Sequence, residues 1–144
     1  MDTQNLKLIY TLLCDDVRLE MGNKLSMMGV FQNIMVEQLP VSLIKFAVVN
    51  HWRGEGIYQT EVRILSANKT DVLVASQPTS IELASGGFTD NVSFFVNVVF
   101  STPGTYWVQT LANSILIEET SLTVTDANTI SGSQTAEQVS ETVN

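Results

Sequence analysis

The sequence predicts an all-β protein, an antiparallel β-sandwich of about eight or nine strands. Apolar and polar residues alternate with the two-residue period of half-buried strands, and helical periodicity is nearly absent. Runs rich in valine, isoleucine and aromatic residues are separated by clusters of glycine, proline, asparagine and serine. With 144 residues, 44% of them hydrophobic, the chain is long enough for one domain with its own core.

The first half of the chain contains four predicted strands. They cover residues 6–14, 25–31, 43–52 and 57–65, and the segment RGEG at 53–56 is predicted to be the turn between the last two. The strand at 57–65 alternates regularly: one face carries Tyr58, Thr60, Val62 and Ile64, and the other carries Gln59, Glu61 and Arg63. This pattern is typical of an antiparallel strand with one face in the core.

The second half continues with a predicted turn, ANKTD, and short strands near 72–76 and 79–84, followed by the glycine-rich break SGG. Residues 91–100 form the strongest predicted strand. Its apolar residues at even positions are expected to face the core: Val92, Phe94, Val96, Val98 and Phe100. Strands at 105–111 and 115–124 complete a domain over residues 1–125, and residues 126–144 are predicted to be a polar, disordered tail.

Tyr106 refines the predicted fold. It follows the turn STPG at the start of the next-to-last strand, and Val108 lies two positions further on. This arrangement resembles the tyrosine corner of immunoglobulin-like sandwiches, with valine where an antibody domain has its second cysteine. The expectation is therefore an immunoglobulin-like sandwich without a disulfide, since Cys14 is the one cysteine. The alternative is that Tyr106 is an ordinary core tyrosine.

Composition argues against several functions. The net charge of −8 disfavours binding to nucleic acid or to an anionic membrane surface. No segment has the run of about 18 apolar residues that a membrane helix needs, and no secretory signal is recognised, so a cytoplasmic location is expected. With one cysteine and one histidine, His51, no zinc site is predicted, and no other metal or cofactor is expected.

The stretch CDDVRLEMGNKLSMMGVF begins at Cys14 and raises the question of a metal or catalytic site. A hairpin with an odd loop at Gly22-Asn23-Lys24 makes one of its faces entirely apolar. Cys14, Asp15 and Asp16 are then predicted to form a corner where the alternation changes phase and the first strand passes from one sheet to the other, with Cys14 packed as a small apolar residue.

Arg18 and Glu20 follow on the polar face of this hairpin, where they are predicted to protect an exposed strand edge. Two other interpretations of the stretch remain open. One is a Ca²⁺ site formed by Asp15, Asp16 and Glu20, and the other is a nucleophilic set of Cys14 with His51 and an aspartate.

The same stretch is similar to the opening of an uncharacterised bacterial and phage family of small immunoglobulin-like β-sandwich proteins, a domain of unknown function. The shared pattern is close to C-D-D-x-R-x-E-x-G-x-K-x-S-x-x-G, and members end in a P-G-x-Y strand and a short hairpin. The matching positions here are Cys14, Asp15, Asp16, Arg18, Glu20, Gly22, Lys24, Ser26, Gly29, Leu39, Pro40, Pro103, Gly104 and Tyr106. The resemblance spans most of residues 6–125 and implies a fold and a bacterial or phage setting, but no activity.

The favoured function is a non-catalytic interaction or structural module that binds a protein partner or a second copy of itself. No catalytic residue is predicted. Outward-facing residues of neighbouring strands are expected to form one candidate interaction face: Trp107, Leu111, Val49 and His51. The alternative is a small-ligand binder or enzyme with a site at the loop end, lined by Trp52, Arg53 and Asp90.

Overall fold

The computed structural model describes residues 3–127, and these form an all-β structure without helical elements. The predicted tail at 126–144 lies outside the described residues except for its first two positions. Eight strands form one sheet: β1 (Leu6–Glu20), β2 (Lys24–Phe31), β3 (Asn33–Val36), β4 (Val41–Leu65), β5 (Val72–Ala75), β6 (Thr79–Phe100), β7 (Gly104–Ala112) and β8 (Ile115–Asp126).

A long hairpin of β4 and β6 organises the sheet. The two strands pair from Val41 opposite Phe100 to Thr60 opposite Thr79, and β5 continues the second arm beyond β6. Residues 53–56, which the sequence predicts as a turn, are instead part of β4. Gly54 stands opposite Gly87, and the register shifts directly after this pair. The two glycine-rich breaks therefore form one shared irregularity in a continuous pair of strands.

The other edge of β4 is shared between two strands. Residues 47–54 pair with β1, and residues 60–65 pair with β7. The sheet order is β2-β1-β4-β7-β8-β3, so its two end strands are β2 and β3, which Gln32 alone separates in the chain. Because the ends are joined in this way, the sheet must curl. The pairing of β3 with β8 is parallel, so the described residues form one curled, mixed sheet. This differs from the antiparallel immunoglobulin-like sandwich that the sequence predicts.

The main core lies inside the curl and draws on both halves of β4. Its fully buried members include Phe46, Ile64 and Phe100. In β6 the predicted alternation is correct for Val98 and Phe100. It is wrong for Val92, which packs on a different cluster, and for Phe94 and Val96, which are 49% and 62% exposed. Phe95 is buried in their place, against Phe46. The strand changes phase around Asn97, whose positive φ of 52° departs from strand geometry.

A buried polar layer separates the main core from a second apolar cluster around Trp52. Asn50 is fully buried, and its Oδ1 accepts hydrogen bonds from the hydroxyls of Thr11 at 2.6 Å and Thr110 at 3.5 Å. Nδ2 of Asn50 and Nε1 of Trp52 have no protein partner among the described residues. The interior therefore contains polar groups that hold strands β1, β4 and β7 together.

Strands β1 and β2 form the hairpin that the charged N-terminal stretch predicts. Glu20 pairs with Lys24, so the loop has three residues, Met21-Gly22-Asn23, one position earlier than predicted. Gly22 and Asn23 have φ values of 80° and 59°, which explains the residue types found there. The loop is odd, as predicted, so each side chain keeps its predicted face although each pairing shifts by two positions.

Candidate functional site

The sheet formed by β1, β2, β4 and β6 has a second apolar face, which we call the outer face. Alternation along β1 and β4 sends Leu13 and Val48 into the core, whereas Cys14 and Val49 point to the opposite side. Side chains of paired residues lie side by side on the same face of a sheet. Each set of paired residues on neighbouring strands therefore forms one row across the outer face. The rows from one end to the other are Lys7–Arg53–Phe88, Tyr10–His51–Asp90, Leu12–Val49–Val92, Cys14–Ala47–Phe94 and Lys45–Val96.

The centre of the outer face is a third apolar cluster. Cys14, Ala47 and Val49 are each 0% exposed. They are covered by half-buried apolar side chains from the surrounding strands, which are Tyr10, Val17, Leu25, Met27 and Val92. A sheet face directed away from the core is usually polar, so this cluster departs from the pattern expected of a solvated face.

At one end of the outer face, His51 is surrounded by aromatic rings. Its Nδ1 lies 2.7 Å from Oδ1 of Asp90. Its ring stacks on Tyr10 at 5.1 Å between centroids and contacts Phe88 at 5.6 Å. Burial, together with the negative charge of Asp90, raises the pKa of Tyr10. The ring of His51 is thus fixed between two aromatic side chains and one carboxylate.

Two cations occupy the last row beyond His51. Lys7 and Arg53 are paired residues of β1 and β4, and both are exposed. The guanidinium of Arg53 lies 5.8 Å from the ring centroid of Phe88, which is 64% exposed. Neither cation forms an ion pair with a carboxylate within the described part of the chain.

The opposite end of the outer face carries an ion pair between Asp16 and Lys45, at 3.0 Å. The hydrogen bond from Lys45 lowers the pKa of Asp16, and the backbone N–H of Val17, at 2.9 Å, acts in the same direction. Lys45 also lies 5.0 Å from the ring centroid of Phe94. The cation therefore contacts both a carboxylate and the apolar centre of the face.

The predicted corner at Cys14, Asp15 and Asp16 is a change of phase within one sheet. Cys14 and Val17 belong to the same outer cluster, so alternation is interrupted between them. The strand does not pass to another sheet, because its pairing with β2 continues to Glu20. Burial and the charges of Asp15 and Asp16 raise the pKa of the Cys14 thiol.

Asp15 and Gly29 lie opposite each other across the hairpin. A Cβ atom on Gly29 would be 2.3 Å from Oδ2 of Asp15, so the carboxylate occupies the space above the glycine. Both line an open cleft of about 360 Å³ whose other walls are mainly apolar, including Phe31 and Leu43. Further along the hairpin, Arg18 is exposed, and Ser26 donates a hydrogen bond to Glu20 at 2.8 Å.

The predicted interaction face of Trp107, Leu111, Val49 and His51 is not one surface in the structure. Strand β7 pairs with residues 60–65 of β4, not with the segment that contains Val49 and His51. Val49 and Leu111 are buried, at 0% and 7% exposure. Trp107 is half-buried beneath Nζ of Lys69, 4.6 Å from its ring centroid. Of the four residues, Val49 and His51 belong to the outer face.

Tyr106 makes the contact expected of a tyrosine corner. Its ring is buried against Phe100, and its hydroxyl donates a hydrogen bond of 2.7 Å to the carbonyl of Thr102, four residues upstream. This contact fixes the turn that leads into β7.

The alternative loop-end site does not form as predicted. Trp52 is fully buried beside β1, whereas Arg53 and Asp90 lie in adjacent rows of the outer face. Cys14 and His51 are four residues apart along the strands, about 13 Å, so they do not form a nucleophilic pair. Within residues 3–127 no group of His, Cys, Asp and Glu is arranged to hold a metal ion, and no helix is long and apolar enough to cross a membrane.

Sequence reasoning misses Lys7, Phe88 and Phe94 as members of this face. Lys7 and Phe88 reach it only through the pairing of β4 with both β1 and β6, which no local pattern specifies. Phe94 is missed because strict alternation assigns it to the core. A signal is present in the sequence, because apolar residues occur at both even and odd positions of 91–100. A strand that is apolar on both faces is expected to be covered by other side chains on both faces.

The chain belongs to a family of unknown function, DUF6941, whose model matches residues 9–125. This match supports the resemblance suggested by the N-terminal pattern at the level of an uncharacterised domain. A search of curated proteins finds no match.

Solved structures are similar to this chain at low sequence identity. One is the Pseudomonas fluorescens alkylpurine DNA glycosylase AlkC bound to DNA containing an abasic site analog, with a TM-score of 0.51 and 8% identity. The match covers 84% of this chain and 30% of that one. Another is a β-glucosidase from Listeria innocua in complex with glucose, with a TM-score of 0.48, 8% identity, and coverage of 83% and 16%. The chain thus spans less than a third of the length of either protein.

Proposed function

We propose that the protein is a non-catalytic interaction module that binds a protein partner through its outer face. The observation that carries this proposal is the third apolar cluster, built on the side of the sheet that points away from the core. Phe94 and Val96 extend this cluster to the free side of β6, and both are about half exposed or more. Partly exposed apolar side chains grouped on one face in this way are typical of protein interfaces.

The surroundings of the candidate reactive groups support a non-catalytic role. The His51–Asp90 pair resembles half of a catalytic triad, but no serine or cysteine shares a row of the sheet with it. Cys14 is fully covered and its thiol pKa is raised, so the thiolate that nucleophilic chemistry needs is disfavoured.

The test compares two exposed apolar residues of similar size on different surfaces. Phe94→Ser removes an aromatic group from the outer face, and Ile57→Ser is the control, since Ile57 is 66% exposed and pairs with Glu82 elsewhere. Peptides selected from a random display library on the wild-type protein provide the probe. We expect Phe94→Ser to weaken their binding at least about tenfold and Ile57→Ser to leave it unchanged. A library that yields no binder, or equal effects of both variants, would contradict the proposal.

A second candidate function is the binding of a small organic cation in the cleft beside Asp15. The carboxylate of Asp15 has no ion pair in the described residues, and the walls of the cleft are mainly apolar. An alkylammonium compound would match both features. Nuclear magnetic resonance titration with butylammonium tests this idea. Shifts that are confined to the cleft and lost in Asp15→Asn would support it, and shifts that persist in the variant would not.

A further inference from the structure

We infer that the partner of the outer face carries a carboxylate beside its apolar side chains, and that Lys7 and Arg53 together bind this carboxylate. The inference rests on the proposed function, since it specifies the chemistry of the partner for the same surface.

The first observation is the direct opposition of two like charges. Lys7 and Arg53 face each other across β1 and β4, an arrangement that destabilises a sheet when no anion lies between the charges. Neither has a carboxylate partner in the part of the chain that the structure describes. This absence is notable because the chain has fifteen acidic residues and only seven basic ones.

The remaining cations are placed differently. Lys45 and Lys69 form ion pairs with Asp16 and Glu119, and Arg63 donates to Gln109. The other two lie on the β1–β2 hairpin, where Lys24 stands opposite Glu20 in the strand register and Arg18 is two residues from Asp16 and from Glu20. Lys7 and Arg53 are therefore two cations that face each other in one row of the sheet, and neither forms an ion pair among the described residues.

The charges of the outer face indicate which class of partner it binds. Its rows contain Lys7, Arg53 and Lys45, three of the seven basic residues, whereas its acids, Asp90 and the neighbouring Asp16, already contact His51 and Lys45. A second copy that binds through its own outer face would present the same cations and the same occupied acids. A nucleic acid would be repelled by the rest of a surface whose net charge is −8. Charge complementarity therefore favours an acidic protein segment.

Local geometry favours a carboxylate at this position. Arg53 lies over the ring of Phe88, and a guanidinium in this position can still bind a planar acceptor through its N–H groups. Phe88 is four residues from Val92 and six from Phe94 along β6. These separations correspond to about 13–20 Å in a strand. An extended partner would thus have its acidic residue four to six positions from its apolar anchor.

The experiment uses peptides selected from a random display library on the full-length protein. We expect the selected peptides to be enriched in aspartate and glutamate four to six positions from a large apolar residue. The double variant Lys7→Glu with Arg53→Glu should lose at least about tenfold in affinity, and the loss should shrink at high salt. The control, Arg18→Glu with Lys24→Glu, changes the net charge equally on the hairpin and should have little effect. A peptide whose acidic residue is replaced by lysine should regain binding to the Lys7/Arg53 variant.

Each outcome separates this inference from the proposed function. If Phe94→Ser abolishes binding but the Lys7/Arg53 variant and its control behave alike, the carboxylate inference is wrong and the interaction face stands. If neither change affects binding, both are wrong. A dimer in sedimentation analysis that depends on Phe94 and not on Lys7 and Arg53 would identify a second copy as the partner and overturn the inference. Binding of a DNA duplex that depends on Lys7 and Arg53 would also overturn it.

Discussion

At the scale of single residues, Phe94 and Phe95 show how one backbone position changes the role of its neighbours. Phe95 is 3% exposed and contacts Phe46 in the core, whereas Phe94 is half exposed beneath Lys45. The sequence predicts the reverse, because continuous alternation from Val98 and Phe100 assigns even positions to the core. The positive φ of Asn97 breaks that alternation, and asparagine adopts such a conformation at lower cost than most residues.

This difference gives the first prediction. Phe95→Ala should reduce the free energy of unfolding by about 3–5 kcal/mol, the range for emptying a buried phenylalanine site. Phe94→Ala should cost about 1 kcal/mol or less, because its ring is already half in water. Urea denaturation monitored by tryptophan fluorescence measures both. Similar losses for the two variants would mean that both rings are packed in the core.

Asp15 and Gly29 provide a second prediction at this scale. Gly29→Ala places a methyl group against the Asp15 carboxylate, at a φ of 69° that alanine disfavours. We expect a loss of about 2–4 kcal/mol in the wild-type background. In an Asp15→Ala background the clash is absent, and the loss should fall to the backbone strain of about 1–2 kcal/mol. A double-mutant cycle measures this coupling. Additive effects would show that Asp15 does not restrict the glycine.

At the scale of elements, the β4–β6 hairpin explains why two predicted turns become parts of strands. Taken alone, each of the glycine-rich segments RGEG and SGG predicts a turn, because glycine is common in turns. In the structure Gly54 faces Gly87, so the breaks coincide across the pair and the strands continue on both sides. The β1–β2 hairpin shows the opposite case. There the choice of a loop with an odd number of residues assigns the side chains to the correct faces of the hairpin, although the loop lies one residue earlier than predicted.

The third prediction compares two glycines of the β4–β6 hairpin. A Cβ atom on Gly54 would lie 1.9 Å from the carbonyl oxygen of Asn5, and the φ of Gly54 is 145°. Gly54→Ala should therefore displace β1 and cost more than about 3 kcal/mol. Gly86 also has a positive φ, but its Cβ would meet no atom within 4 Å. Gly86→Ala should cost only about 1 kcal/mol. Thermal denaturation of both variants measures the difference, and equal effects would contradict a specific contact at Gly54.

At the scale of the whole molecule, acidic residues outnumber basic ones by eight, and ion pairs hold some of them in place. Hydrogen bonds from Lys45 and Lys69 lower the pKa values of Asp16 and Glu119, respectively. A lowered pKa in the folded state means that the unfolded state binds protons more readily. The stabilisation is therefore complete above the ordinary pKa values of 3.8 and 4.5 and is lost as the pH falls through the lower folded values.

The fourth prediction follows from this sign. Between pH 5 and pH 3 the melting temperature should fall, and it should fall less steeply in a variant that carries Lys45→Met and Lys69→Met. Both pairs are partly exposed, so salt should also reduce the difference between variant and wild type. Differential scanning calorimetry across this pH range provides the measurement. Parallel curves for the two proteins would mean that other carboxylates dominate the acid sensitivity.

The whole-molecule arrangement is the part that the sequence predicts least. Strand positions and the all-β class follow from alternation and turn residues, which are local. The division of β4 between β1 and β7, and hence the separation of Trp107 from Val49, depends on pairings between distant segments. The predicted neighbours of Val49 came from an assumed topology and are wrong for that reason. The outer face as a whole is therefore defined only once the pairings of β4 with β1 and with β6 are known.

The one-residue link at Gln32 also has a consequence for the synthesis of the protein. Strand β3 is made early, yet its partner β8 is the last strand of the described chain, and Asn33 bonds to Thr123 across 90 residues. Until residues 115–126 leave the ribosome, the nascent chain holds β3 with its pairing edge open. The β1–β2 hairpin can form at once, whereas closure must wait for translation of the last strand. Closure of this sheet should therefore follow the synthesis of β8, in a step governed by a long-range contact.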